Sequence, residues 1–204
     1  MKPMAVLGVS FVAGAIPTSN IAARRRANVD LRDVGSGTVS GTSLYRVTNF
    51  GTLAVTGIAD IAKGALGPML AGARRPGLAA LAGGAAIAGH NWSPFLRGAG
   101  GRGVAPSLGV LGAQAWPGIP VMLSGLVAGK AARQTGLGGF VAQCALVPVL
   151  ARTHGRRGAF AGVCVVAPMW MKRLTGNRPP KAPTVQVYVH RLLFDRDPDQ
   201  FEDA

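Results

Sequence analysis

The chain has 204 residues, of which 49% are hydrophobic, only 15% are charged and 30 are glycine. A soluble domain of this size carries about 25% charged residues, so the composition favours an integral membrane protein over a glycine-rich soluble helical one. The net charge is +14. Because the basic residues stand singly or in short runs at the ends of apolar blocks, they indicate anionic membrane lipid as a partner and argue against nucleic acid.

Six apolar blocks predict the membrane-spanning segments. About 20 residues cross the hydrocarbon core, and the later blocks are shorter, so their helices must be tilted, re-entrant or paired with flanking residues. Pro117 and Pro120 interrupt the fourth block and divide it into two short spans. The blocks cover residues 4–23, 47–73, 77–95, 104–127, 136–150 and 158–171. The sequence therefore predicts an all-α integral membrane bundle of about seven transmembrane helices.

The distribution of basic residues predicts the topology. The first block follows Met1-Lys2 as a signal peptide would, but it contains Pro17 and ends at three consecutive arginines, so we interpret it as a retained span. Seven crossings with the N-terminus outside put most Lys and Arg on the cytoplasmic side, as the positive-inside rule requires. Arg74-Arg75 and Arg156-Arg157 are exceptions on the outer side. We expect a membrane protein with a cytoplasmic C-terminus.

The first predicted cytoplasmic loop, residues 30–43, is rich in hydroxyl groups and glycine, and Arg46 follows it. Hydroxyls and free backbone amides bind phosphate oxygens, and Arg46 would add charge. The candidate residues here are Gly35, Ser36, Gly37, Thr42 and Arg46. The alternative is an ordinary solvated loop.

Asp60 and Lys63 lie three residues apart within an apolar span, where unpaired charges are costly, so we predict that they pair. No Asp or Glu occurs between residues 61 and 194. That absence excludes a paired-carboxylate hydrolase, a carboxylate metal site or a Ser-His-Asp triad built from this region. Cys144 and Cys164 lie in apolar blocks and indicate neither a disulfide framework nor a zinc site.

The segment 89–109 connects two apolar blocks through a glycine-rich turn. This turn contains Arg97 and Arg102 and no acidic residue. Glycines let backbone amides approach an anion, and guanidinium groups donate charge-assisted hydrogen bonds to phosphate. The alternative is a flexible basic loop that faces anionic lipid. His90 is a lone histidine, for which a hydrogen bond to backbone or a neighbouring loop is favoured over metal ligation.

The chain divides into a membrane domain, residues 1–176, and a cytoplasmic tail, residues 177–204. In residues 184–190, apolar and polar side chains alternate as they do in a short β-strand. Residues 195–204 are acidic and are expected to be disordered. A solvated tail is the expectation, and docking on the basic face is the alternative.

Four of these pieces together resemble a known family. They are Gly14–Ser19, Asp30–Gly37, Asp60–Gly64 and the second motif from Gly89-His90 through Gly100–Ala105. In this order and spacing they resemble the bacterial acyl-phosphate:glycerol-3-phosphate acyltransferases (the PlsY-type family). The resemblance implies a seven-span inner-membrane enzyme whose three motifs meet on the cytoplasmic side. Its reaction transfers a fatty acyl group from acyl phosphate to the 1-position of glycerol 3-phosphate, without metal or cofactor, and gives lysophosphatidate.

The predicted site follows from the residues and from this resemblance. Ser36, Arg46 and Arg102 are the candidate catalytic residues. The candidate substrate- or phosphate-binding residues are Gly35, Gly37, Thr42, His90, Gly100, Gly101, Gly103, Lys172 and Arg173.

The sequence also departs from the family pattern. Gly136 replaces a serine, Met169 and Trp170 stand where polar residues are usual, and the Glu that closes the third motif has no counterpart. Because a well-placed donor contributes about 3–4 kcal/mol to a transition state, such losses favour an alternative. In that alternative the chain is a non-catalytic relative that binds lipid or phosphate, or that acts as a subunit of a membrane complex.

Overall fold

The computed structural model describes residues 1–35, 37–180 and 182–198. Over these ranges the secondary structure is helical and contains no strand, which confirms the all-α prediction. The α-helices are α1 (Pro3–Ala15), α2 (Thr18–Ala27), α3 (Gly41–Val47), α4 (Phe50–Ala71), α5 (Pro76–Asn91), α6 (Val104–Gln114), α7 (Gly118–Ala131), α8 (Thr135–Thr175) and α9 (Val185–Phe194). Two single-turn 3-10 helices, Leu31–Asp33 and Pro94–Leu96, lie in the connections.

Within the described ranges, three helical segments are long and apolar enough to cross a membrane by length and composition. They are Pro3–Ala27, Phe50–Ala71 and Thr135–Thr175. The first is broken at Ile16-Pro17, between α1 and α2. As predicted, the block with Pro117 and Pro120 forms two short helices, α6 and α7.

Helix α8 is a hairpin of two antiparallel limbs. Gly155 has φ 61° and ψ −149°, a conformation open to glycine that reverses the chain there. Beyond it, Gly158 packs against the backbone of Leu150, and Gly162 packs against Val147. With α1, α4, α5, α6 and α7, the two limbs give seven crossing segments, which is consistent with the predicted number.

Several pairs of helices touch backbone to backbone through glycine, among them α1 with α5 and α4 with α6. Helix α1 meets α5 where a Cβ on Gly14 would lie 2.0 Å from the carbonyl oxygen of Ala86. Helix α4 meets α6 where a Cβ on Gly109 would lie 1.9 Å from the carbonyl oxygen of Ile61. Both helix pairs therefore depend on the absence of a side chain, as close packing in membranes often does. A separate apolar core, formed by residues such as Ile87, Val110, Leu111, Met122, Leu146 and Val165, joins α5, α6, α7 and both limbs of α8.

The connections gather at the two ends of the bundle. At one end Arg75 donates to the carbonyl of Met1, so the N-terminus lies beside the α4–α5 turn. At the other end, which we call the loop end, lie the first loop (residues 28–40), the second loop (residues 92–103) and the segment from residue 176 onward. The N-terminus and the last described residues therefore lie at opposite ends of the bundle.

The tail differs from the sequence prediction in two respects. Residues 184–190 do not form a strand: Thr184 caps a helix by accepting from the amide of Val187, and α9 continues to Phe194. The solvated tail is also wrong for the described part, because Arg173 donates to the carbonyls of Leu192 and Leu193 and thereby docks α9 on α8. These tertiary bonds outweigh the local preference of alternating valines for a strand. In the segment predicted to be disordered, residues 195–204, Asp195 and Asp197 pair with Arg102 and Arg191, and residues 199–204 lie outside the described residues.

Candidate active site

Three segments of the chain meet at the loop end through one side chain, Asn177. Its amide nitrogen donates to the carbonyls of Gly37 and Gly100, at 3.1 and 2.9 Å, and its amide oxygen accepts from the Gly100 amide at 3.0 Å. Val39 also donates to the carbonyl of Gly100. Asn177 thus clamps the two glycine loops together at the end of α8. Sequence reasoning missed this residue, and its only signal was an asparagine directly after the glycine that ends α8.

Arg102 is fixed on two sides. Its Nη1 donates to the carbonyl of Lys172 at 2.9 Å, and its Nε lies 3.0 Å from the Asp195 carboxylate. The second contact is not aligned as a hydrogen bond, so its attraction is that of an ion pair. Among the described residues Nη2 has no partner. Arg102 is thus oriented by the protein while one donor group remains available for an anion.

Lys172 and Arg173 follow each other near the end of α8 and have different partners. The Lys172 ammonium donates to the carbonyl of Gly98 and lies 5.4 Å from the centroid of the Trp92 ring, a cation–π contact with the second loop. Arg173 donates to the carbonyl of Gly136 and to the tail. Lys172 therefore contacts the second loop, whereas the bonds of Arg173 hold the tail in place.

The predicted residues of the first loop are brought only partly into this arrangement. Gly37 is buried against the second loop, whereas Gly35, Thr42 and Arg46 lie near the surface, the last two on α3. Ser40 caps α3 by accepting from the amide of Ser43. Ser36 lies outside the described residues.

His90 lines a small pocket beside the break in the first span. The walls are Gly14–Ser19, Val39, His90, Ser93, Leu96, Gly100 and Gly101. A Cβ on Gly101 would lie 2.2 Å from Nε2 of His90, so this glycine lets the second loop lie against the imidazole. Within the described ranges, no three His, Cys, Asp or Glu side chains are grouped so that they could hold a metal ion. The pocket joins the polar loops to the apolar end of α1.

Several of the amides predicted to bind phosphate donate within the protein. The amide of Gly37 donates to Val34, that of Gly100 to Asn177, and that of Gly101 to the carbonyl of His90. These bonds give the loops their shape. Side-chain cations, above all Arg102, are therefore the better candidates for binding an anion.

The Asp60–Lys63 pair is confirmed, and it supports the pocket from within the membrane-spanning part. The two charges are 2.7 Å apart and buried. Lys63 also donates to the carbonyl of Ile16 at 2.6 Å, and Thr18 donates to Asp60 at 2.5 Å. Because Ile16 and Thr18 flank the break between α1 and α2, these bonds tie α4 to that point, and the pair stabilises the first span where it bends.

Asp30 organises the start of the first loop. Its carboxylate accepts hydrogen bonds from the Arg32 side chain and amide and from Arg24. The hydrogen bonds from Arg32 are the largest cause that holds the pKa of Asp30 well below its ordinary value, and the same pairing raises the pKa of Arg32. Asp30 therefore stays ionised and fixes the turn that leads to Gly35.

The departures from the family pattern have packing explanations. A Cβ on Gly136 would lie 2.1 Å from the backbone oxygen of Phe194, so the tail occupies the space that a serine side chain would need. Met169 is buried in the core. Trp170 packs on Phe140 of the facing limb, with ring centroids 5.6 Å apart. These residues build the α8 hairpin and its contact with the tail.

Comparison with known proteins places the chain in a family. The model of the family described as "Glycerol-3-phosphate acyltransferase" matches residues 4–177. Glycerol-3-phosphate acyltransferases from Roseobacter denitrificans and Synechococcus sp. are 35% and 34% identical. These alignments cover 87% and 82% of this chain, and 90% and 84% of the relatives. A third such protein, from Desulforudis audaxviator, is 41% identical, and the chain spans about half of its length, 54%.

Solved structures share the fold. The crystal structure of PlsY, an integral membrane glycerol 3-phosphate acyltransferase, in its glycerol 3-phosphate form superposes with a TM-score of 0.77 at 22% identity. The superposition covers 97% of this chain and 94% of that one. The form with lysophosphatidic acid gives the same TM-score at 19% identity. The chain is a multi-pass membrane protein, and it belongs to the glycerol-3-phosphate acyltransferase family.

Proposed function

We propose that this protein transfers a fatty acyl group from acyl phosphate to glycerol 3-phosphate, which forms lysophosphatidate for phospholipid synthesis. One observation carries the proposal. Two glycine loops and the end of α8 converge around Arg102, next to a pocket that opens beside the apolar first span. Such a junction suits a reaction between a water-soluble phosphate ester and a lipid-soluble acyl donor.

Arg102 is the principal phosphate-binding residue in this proposal. Its oriented guanidinium offers Nη2 to a phosphate oxygen, and Lys172 adds positive charge behind it. Arg46, exposed on α3, is suited to the second phosphate-bearing substrate. Thr42 and Ser36 are proposed to orient the acceptor alcohol, and the acyl chain lies in the apolar surface between spans. Neither a metal nor another cofactor takes part.

The chemical step needs no covalent intermediate with the protein. The oxygen of the acceptor's 1-hydroxyl attacks the acyl carbon, and the bond from that carbon to the phosphate oxygen breaks. The hydroxyl proton leaves with the released hydrogen phosphate. Because phosphate is a good leaving group, the work of the protein is to position the two substrates and to stabilise negative charge.

We further propose that the loop end faces the cytoplasm of a bacterial cell, across its inner membrane. Most of the Lys and Arg residues belong to this end, among them Arg24–Arg26, Arg46, Arg97, Arg102 and Arg178. Both the positive-inside rule and attraction to anionic lipid of the inner leaflet support this orientation. Reporter fusions at residues 3 and 178 test it, and a reporter at residue 178 that is active only outside the cell would contradict it.

The direct test of function is an assay of the purified protein in detergent with palmitoyl phosphate and labelled glycerol 3-phosphate. Lysophosphatidate is the expected product, and Arg102→Ala should abolish its formation. Arg26→Ala is the matched control, because it removes an exposed arginine at the same end and should leave turnover unchanged. Full turnover by Arg102→Ala would refute the proposed site.

The rival function is that of a non-catalytic, lipid- or phosphate-binding subunit. The losses at Gly136, Met169 and Trp170 favoured it at the level of sequence, but each of these residues has a packing role that does not require the loss of activity. The same assay separates the two functions. Binding of glycerol 3-phosphate without any lysophosphatidate would support the rival.

A further inference from the structure

We propose that the C-terminal extension, residues 185–198, is a permanent part of the active site, in which Asp195 is the positioning residue for Arg102. The proposal rests on the function proposed above. The family model ends at residue 177, and the extension begins after it.

The charge distribution gives the first argument. Lys172, Arg173 and Arg102 lie together at the loop end, and no carboxylate occurs between residues 61 and 194 that could compensate them. Asp195 is the first acid after Asp60. Its carboxylate lies 3.0 Å from Nε of Arg102, and both side chains are largely shielded from solvent. The extension therefore supplies the counter-charge that this cluster lacks.

The second argument is that the extension is anchored by buried arginines. Arg191 is almost fully buried, and its guanidinium donates to the carbonyls of Leu174 and Arg178 and to Asp197. Arg173 donates from the other side to the last turn of α9. Removal of the extension would leave the buried Arg173 guanidinium with only the carbonyl of Gly136 as a partner, which is costly. A segment anchored in this way stays in place at the active site throughout turnover.

Gly136 gives the third argument. The carbonyl of Phe194 occupies the space where a side chain at position 136 would begin, and the carbonyl of Gly136 accepts from Arg173. The start of α8 is therefore shaped to receive the residue that directly precedes Asp195. Asp195 itself has φ 61°, a left-handed conformation that ends α9 at the residue whose carboxylate meets Arg102.

The geometry of Arg102 explains what Asp195 contributes. A guanidinium held only by the carbonyl of Lys172 can swing about that bond, whereas the additional charge at Nε restrains its plane. Nη2 then points in one direction. An arginine oriented in advance loses less freedom when it binds a phosphate, so the benefit appears in substrate affinity.

The first experiment measures KM and kcat of the purified full-length protein for glycerol 3-phosphate. Asp195→Asn should raise KM about tenfold, in line with the cost of misplacing a positioned group, and Asp195→Glu should recover part of the loss. Asp33→Asn is the matched control, because it removes an exposed carboxylate of the first loop, at the same end of the bundle, and its KM should stay within about twofold. A lower KM in Asp195→Asn would overturn the proposal and show that the carboxylate competes with substrate.

A double-mutant cycle tests whether Asp195 acts through Arg102. In an Arg102→Lys background, Asp195→Asn should have little additional effect, because the oriented guanidinium is already gone. If the fold-changes in KM of the two substitutions simply multiply in the double mutant, the proposal is overturned, because Asp195 then acts independently of Arg102. A general loss of folding would reduce kcat and yield in both backgrounds, and so differs from the expected change in KM.

A second variant displaces the extension without touching Asp195. Gly136→Ala adds a Cβ at the Phe194 carbonyl and should raise KM as Asp195→Asn does, while Gly57→Ala, where nothing lies within 4 Å, is the matched control. Binding of inorganic phosphate, measured by calorimetry, should weaken in the same two variants. If the wild-type protein binds phosphate but makes no lysophosphatidate, the proposed function fails while the role of Asp195 in anion binding is still measured. Unchanged phosphate affinity in both variants would overturn that role.

Discussion

The membrane-spanning bundle and the loop end both rely on glycine, but they use it differently. In the bundle, Gly14 and Gly109 let helix backbones touch, and the contact extends along whole helices. At the loop end, Gly37 and Gly100 let two loops approach, and the contact is held by the amide group of Asn177 and by the hydrogen bond from Val39 to Gly100. The bundle is therefore held by many dispersed contacts, whereas the loop end is held by a few directed bonds. Substitutions in the bundle should affect folding first, and substitutions at the loop end should affect activity first.

The largest expected effect belongs to the bundle. Gly109→Leu places a side chain where a Cβ alone would lie 1.9 Å from a backbone oxygen, and neither helix backbone can yield without loss of the α4–α6 contact. We expect more than the ~1–3 kcal/mol that is typical of overpacking, and no folded protein on size-exclusion chromatography in detergent. Gly57→Leu on α4, with open space around it, should be recovered at wild-type yield. Equal yields of the two variants would refute this account of helix packing.

Asp60→Ala should have the next largest effect. It leaves the Lys63 ammonium buried with only the carbonyl of Ile16, and the loss of one partner of a buried pair costs about 3–5 kcal/mol. Thermal unfolding in detergent measures the change. Thr18→Val removes only one hydrogen bond of the same cluster and should cost about 1 kcal/mol. If Asp60→Ala proves no worse than Thr18→Val, the pair does not support the first span.

Asn177→Ala should separate activity from stability. Its three hydrogen bonds contribute about 1 kcal/mol each, so the protein should still fold, but the two loops lose their common anchor. We expect acyl transfer to fall at least tenfold, since small misplacements at a site have costs of that order. In Asn177→Asp an oxygen replaces the donor that faces two carbonyls, so this isosteric variant should be no more active. Wild-type turnover in both variants would mean that the clamp is dispensable.

The smallest effect is expected at Asp30 and depends on pH. Because hydrogen bonds from Arg32 lower the pKa of Asp30 in the folded protein, the carboxylate adds stability above the ordinary pKa of about 4 and loses this contribution as the pH falls. Arg24, one of its partners, is largely exposed, so the gain is about 0–1 kcal/mol. Unfolding measured between pH 7 and pH 3 should show a smaller loss of stability in Asp30→Asn than in wild type. Parallel curves would contradict this contribution.

The sequence predicted the spans better than it predicted the site. Blocks of apolar residues and the prolines at 117 and 120 were enough to predict the helices. A segment that crosses the hydrocarbon core must satisfy its own backbone hydrogen bonds, so it forms a helix of defined length. The strand at residues 184–190 was wrong because alternating valines report a local preference, whereas Arg173 and Arg191 fix α9 through contacts distant in sequence. For the same reason, neither Asn177 nor Asp195 was identified. A residue that connects segments far apart in the chain has no local pattern that would reveal it.

The break at Ile16-Pro17 has a consequence for how the chain enters the membrane during synthesis. A charged residue near the middle of a helix costs about 2.5–3.5 kcal/mol on insertion, and α4 carries two, Asp60 and Lys63. Their partners, the hydroxyl of Thr18 and the carbonyl of Ile16, belong to the segment that leaves the ribosome first. These groups precede α4 in the chain. We therefore expect the first span to lower the free-energy cost of inserting the charged α4 into the bilayer.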